Sequence, residues 1–123
     1  MSNMLVFTAA ILLLLTGVAH SILGEMRLIS PLLTLHQGIL GNRLARFLLR
    51  FVWHSMSVCF ALLSLILVVL VYDPAMVRFW AVVGIGVAFI GIGLCDMIGS
   101  RGRHIGWPLL VGIGAAALAS LAR

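Results

Sequence analysis

Long apolar stretches divided by short polar breaks give this chain its pattern. The first runs from about Met4 to Leu23 and meets Glu25 and Arg27. A second covers about 47–72, its apolar part from Phe51 preceded by Arg43, Arg46 and Arg50, a third about 75–98, and a fourth about 104–121. Each is near the roughly 20 residues that carry a helix across a bilayer core. In hydrocarbon an unclosed backbone is costly, and a helix satisfies its own N–H and C=O groups. The pattern therefore predicts an all-α fold: a single integral membrane four-helix bundle filling residues 1–123.

The breaks carry their own signals. Asn42 is a helix cap, so the second helix is expected to start near Arg43, ahead of its apolar part. Asp73-Pro74 reads as a cap followed by a first helical position, and Ser100-Arg101-Gly102-Arg103 as a tight basic turn. Residues 27–42 are too interrupted to cross. With Ser30-Pro31 as a start, Gly41-Asn42 as a stop and Leu32, Leu33, Leu35, Ile39 and Leu40 between, they predict a short helix lying in the interface between spans 1 and 2. An apolar loop folded over the mouth of the bundle is the other reading. The first run ends in Val18-Ala19-His20-Ser21, like a secretory leader, but it lacks a basic start and is long for such a segment. It is expected to stay as a span.

Composition sharpens this. Of 123 residues, 63% are hydrophobic and 9% charged, with a mean hydropathy of +1.26. A soluble domain carries roughly a quarter of its residues charged, so the outer surface here is expected to face the lipid bilayer. The net charge of +5 comes from arginine alone, gathered in the breaks. That placement points to membrane orientation and lipid headgroups and away from nucleic acid. Arg43, Arg46 and Arg50 recur at i, i+3 and i+7 on one helical face, suited to snorkelling to headgroup phosphates. Arg27, Arg43, Arg46, Arg101 and Arg103 fall in the first and third loops, with Arg78 near the second and Arg123 at the end. Loops one and three are thus expected in the cytoplasm of a bacterial inner-membrane protein, with both termini on the non-cytoplasmic side. Cys59 and Cys95 sit in apolar runs as reduced thiols, and Trp53, Trp80 and Trp107 lie near span ends, as aromatic belts do.

Gly84 with Gly91, and Gly86 with Gly93, repeat every seven residues, and Gly112 and Gly114 precede an alanine-rich stretch. Small residues at that spacing let helices approach closely, within the bundle or against a second copy or a larger membrane complex.

The candidate chemistry lies in polar residues inside apolar runs, which are costly in lipid and commonly functional. His20 lies five residues before Glu25, His54 four after Arg50, and Asp96 five before Arg101. At about 1.5 Å per residue each is roughly 6–8 Å inside its own boundary. Because the helices alternate in direction, all three are expected at one depth near the cytoplasmic face. Glu25 and His104 would close the site from outside, His36 would lie over it, and Cys95 is a further soft donor. Three chemistries fit: His20 and His54 as axial ligands of a b-type haem; His20, His54, Asp96 and Glu25 as ligands of a transition metal; or a proton or substrate path. The alternative is that these side chains bond one another and fix helix register. Function classes follow the same split: a metal or haem protein for redox or transport, a non-catalytic accessory or assembly subunit, or a small homo-oligomeric transporter. Sequence support for catalysis is weak. No HExxH, CxxC or phosphate-loop spacing occurs, and Ser21 beside His20 points about 100° away from it on a helix.

Overall fold

These residues form helices because the first three apolar runs carry no internal proline and a helix satisfies the backbone groups of an apolar run. The structure is a computed structural model that describes residues 3–122. Four helices dominate: α1 (Asn3–Leu33), α2 (Arg43–Tyr72), α3 (Val77–Ser100) and α4 (Trp107–Ala119). Single 3₁₀ turns at Gly38–Gly41, Pro74–Met76 and Ser120–Ala122 fill the joints. Three helical stretches, Asn3–Leu33, Arg43–Tyr72 and Pro74–Ser100, are long and apolar enough to cross a membrane, and a fourth, Trp107–Ala122, is apolar but shorter. Arg123 lies outside the described residues.

The structure departs from the expected elements at three places. The first helix does not stop at Leu23: Gly24 keeps right-handed helical angles and the helix continues to Leu33. Charges at Glu25 and Arg27 change what surrounds a helix, not whether its backbone can continue. Over Glu25–Ile29 it widens into a π turn, with the Ser30 N–H reaching back to Glu25 O. This lies directly before Pro31, which has no N–H to donate and whose ring crowds the carbonyl four residues earlier. A wide turn relieves both. The interfacial helix expected between spans is consequently divided. Its first part, Ser30–Leu33, is the end of α1, and the rest is an extended link with His36 at φ 40° and the Gly38–Gly41 turn.

The second departure is at the last helix, which starts at Trp107 and not at His104. Pro108 occupies the first turn, where a missing N–H costs nothing. The third is at Asp73-Pro74, where Asp73 makes no side-chain cap hydrogen bond and Pro74 opens a 3₁₀ turn ahead of α3. The joints at Asn42 and at Arg101-Gly102 match their signals. The Asn42 side chain accepts from Leu44 N at 2.8 Å. The α3 C-terminus closes with Arg101 N bonding Ile98 O at 3.1 Å and Gly102 N bonding Met97 O at 2.8 Å, with Arg101 and Gly102 at φ 54° and 71°. This double closure satisfies carbonyls that the helix end would otherwise orphan.

Packing falls into two close pairs. Between α1 and α2, Gly17 lies against Phe60 and the Ser57 carbonyl, and Ser64 Oγ donates to Ala10 O at 2.8 Å in a buried contact. Between α3 and α4, Gly86, Gly93 and Gly114 bring the two backbones together: a β-carbon at Gly114 would sit 2.8 Å from Ile90 N. The seven-residue glycine pairs thus serve different neighbours. Gly86 and Gly93 face α4, Gly84 meets Leu62 of α2, and Gly91 meets nothing. The seam between α2 and α3 is thinner and opens into a cleft. Outside, Leu5, Ile11, Leu12, Leu15 and Ile22 of α1 are each more than half exposed, an apolar surface suited to lipid rather than water.

Candidate functional site

Glu25 organises the polar end of the α1–α2 pair. Its Oε1 accepts from Arg50 Nη2 at 2.8 Å and from Ser30 Oγ at 2.7 Å. Its Oε2 lies 3.1 Å from His54 Nε2, and the other ring nitrogen of His54, Nδ1, lies 2.6 Å from Ser21 Oγ. Each partner is placed by helix geometry. Ser21 and Glu25 are one α turn apart, as are Arg50 and His54, so two side chains from each helix meet across the interface. Ser30 is five residues from Glu25, a spacing that diverges on an α-helix but closes on a π turn, whose hydrogen bonds run i to i+5. Ser21 and Ser30 join this network, although the sequence pattern set Ser21 beside His20 and Ser30 at a helix start and paired neither with Glu25. The i, i+4 relation of Ser21 to Glu25 was a usable signal, whereas Ser30 depends on a π turn with no plain sequence mark.

The remaining candidates lie in other surroundings. His20 stacks on Trp53, ring centroids 4.2 Å apart and nearly parallel, while Trp53 Nε1 donates to His20 O at 3.0 Å. Its Nε2 is buried without a partner. Asp96 is fully buried and turns toward the α3–α4 joint, where its Oδ2 bonds His104 Nδ1. Its Oδ1 and the nearby Ser100 Oγ have no partner. His36 is exposed and pairs its Nδ1 with Arg46 Nη1 at 3.1 Å. Cys95 is exposed and lines the α2–α3 cleft.

His20, His54 and Asp96 therefore do not form one ligand set. Among the described residues no group of three or more His, Cys, Asp or Glu side chains is placed to hold a metal ion. The haem pair does not fit either: both ring nitrogens of His54 are engaged, and the His20 ring lies flat against an indole. The reason is local. Adjacent and five-apart positions on α1 point in different directions, so His20 faces Trp53 while Ser21 and Glu25 face His54. A shared depth does not give a shared azimuth.

What the network does adjoin is space. A cleft of about 440 Å³ runs between α2 and α3, walled mainly by apolar side chains such as Phe47, Phe51, Val58, Val87 and Ile92, with Arg50, His54 and Ser55 as its polar lining and Gly91 and Cys95 on the α3 side. On the other side of Phe47 and Arg50 lies a basic basin of about 610 Å³, formed by Arg43, Arg46, His36, Ser30 and Thr34. The fold and site thus define, over the described residues, an all-helical protein with three membrane-length helices, a shorter fourth and a mainly apolar cleft that a carboxylate-anchored arginine lines. No family model matches the chain, and neither does any curated protein or solved structure.

Proposed function

We propose that this chain is a four-span membrane protein that binds a bilayer-borne amphiphile in the cleft between α2 and α3. The single observation that carries this reading is the polarity of the cleft. Its walls are mainly apolar, with His54 and Ser55 among them, and Arg50 lines it toward one end, its guanidinium held by Glu25 at 2.8 Å. An apolar site with one fixed charge is the usual form of a small-ligand pocket. Glu25, His54, Ser21 and Ser30 act here as positioning residues that keep Arg50 at the rim.

The membrane setting of the proposal is a bundle in which α4 completes the fourth span with the help of its flanking turns. The arginine-rich joints lie on the cytoplasmic side of an inner membrane, as the distribution of positive charge favours. The test is organic extraction of the protein purified in mild detergent, followed by mass spectrometry. One amphiphile per chain is expected, and Gly91→Leu should displace it. Gly91 suits this role because it lines the cleft and its β-carbon position is open, so the substitution fills the site without straining the fold. A stoichiometric amphiphile that persists in Gly91→Leu, or none in the parent protein, would reject the reading.

A second reading, an accessory subunit of a larger membrane complex, is favoured by Gly112, an exposed small residue of α4 whose β-carbon position meets nothing within 4 Å among the described residues. Co-purification of a larger partner that is lost in Gly112→Leu, with the cleft variant still assembling, would select it.

A further inference from the structure

We infer that the cleft and the arginine basin beside it form one site for an anionic phospholipid, its phosphate among Arg43 and Arg46 and an acyl chain beneath Phe47. This rests on the proposal that the cleft is the occupied site and adds the chemical class of its occupant.

Depth supports it first. The helix α2 has 30 residues, about 45 Å at 1.5 Å each, the thickness of a bilayer with its headgroup layers. The apolar part from Phe51 to Tyr72 covers about 33 Å of that, close to the hydrocarbon core alone. Arg50 then stands at the core boundary and Arg43 about 10 Å further out, level with phosphates. The cleft, which runs from Phe47 to Val58 on α2, lies at the boundary and below it, at the level of acyl chains. The two cavities share Phe47 and Arg50 as a common ridge, so a molecule with a charged head and an apolar tail can occupy both by crossing it.

Charge supports it second. Among the described residues no acidic side chain lines the basin, and Glu25, which bonds Ser30 and Arg50 at its edge, is already paired with Arg50 and His54. Arg46 uses Nη1 on His36 Nδ1 and on the carbonyls of Leu40 and Gly41, which fixes the guanidinium and leaves Nη2 and Nε to donate. Arg43 makes no salt bridge or side-chain hydrogen bond among the described residues. Two guanidinium groups with open donors thus face one cavity without a counter-charge. A phosphodiester supplies one. A choline head brings a cation to the same place and is disfavoured, so the site should select phosphatidylglycerol over phosphatidylcholine.

The experiment is native mass spectrometry of the protein equilibrated with a defined mixture of phosphatidylglycerol and phosphatidylcholine in detergent. One phosphatidylglycerol is expected per chain, retained at least tenfold over phosphatidylcholine. Arg43→Gln should reduce that retention about fivefold, the effect of one interfacial cation, and Arg43→Lys should restore most of it. Gly91→Leu should abolish retention of either lipid. If both lipids are held equally and Arg43→Gln changes nothing while Gly91→Leu still displaces them, the anionic assignment fails and the amphiphile reading stands. If Gly91→Leu has no effect, both fail. Displacement by millimolar inorganic phosphate as effective as by phosphatidylglycerol would show a soluble-anion site and overturn the lipid.

Discussion

At the scale of single residues, Glu25 matters for how many groups depend on it. Three side chains, Ser30, Arg50 and His54, converge on its two oxygens, and His54 extends the set to Ser21. Interhelical hydrogen bonds in membrane proteins contribute about 0.6 kcal/mol each, up to about 1.7. We predict that His54→Ala, which removes two such links, lowers the unfolding free energy in detergent by about 1 kcal/mol. Ser21→Ala should cost about half as much, and Glu25→Ala the most, because it also releases Arg50. Denaturant titration of the four proteins checks the order. An effect of Ser21→Ala equal to that of Glu25→Ala would mean that the network does not centre on the carboxylate. How much of this could be read beforehand depended on direction. His54, Glu25 and Arg50 stood out because charged and titratable groups are conspicuous in apolar runs. Their pairing did not, because depth follows from counting along one helix, whereas facing depends on how two helices are rotated against each other.

At the scale of elements, glycine placement decides which helices touch and how closely. The prediction is a contrast between two positions on α4. At Gly114 a β-carbon would meet the Gly86 carbonyl and Ile90 N, neither of which can move without shifting α3. Gly114→Val should therefore cost about 2–3 kcal/mol, at the upper end of overpacking penalties. At Gly112 nothing lies within reach, and Gly112→Ala should be neutral or raise stability by up to about 1 kcal/mol through helix propensity. Thermal unfolding of the two variants, followed by helical circular dichroism, gives the comparison. The positions of the helices were largely legible from apolar runs and caps, as Asn42 and the Arg101-Gly102 turn show. The ends near Pro31 and Pro108 were not. Proline at Pro31 looked like a start and is instead absorbed by a π turn, while Pro108 carried a true start signal that hydropathy alone overrode.

At the scale of the whole molecule, three helices of spanning length and a shorter fourth leave the direction of insertion to be measured. With both native cysteines replaced, Arg103→Cys and Asp73→Cys should label from opposite sides of sealed membrane vesicles. Arg103→Cys is expected on the cytoplasmic side. Labelling of both from one side would mean that an even number of crossings separates the two joints, so that α3 does not span.

The thin seam between the α1–α2 pair and the α3–α4 pair has a mechanical consequence. Each pair is locked by backbone-close contacts, at Gly17 on one side and at Gly86 and Gly114 on the other, so each behaves as a stiff plank. The planks meet along a line that is firm at Gly84 with Leu62 and at Gly99 with Phe47 and hollow between. A molecule filling the hollow would act as mortar: removing it should let the planks rock against each other while each stays intact. Heating the emptied protein should then separate its two halves before either one melts.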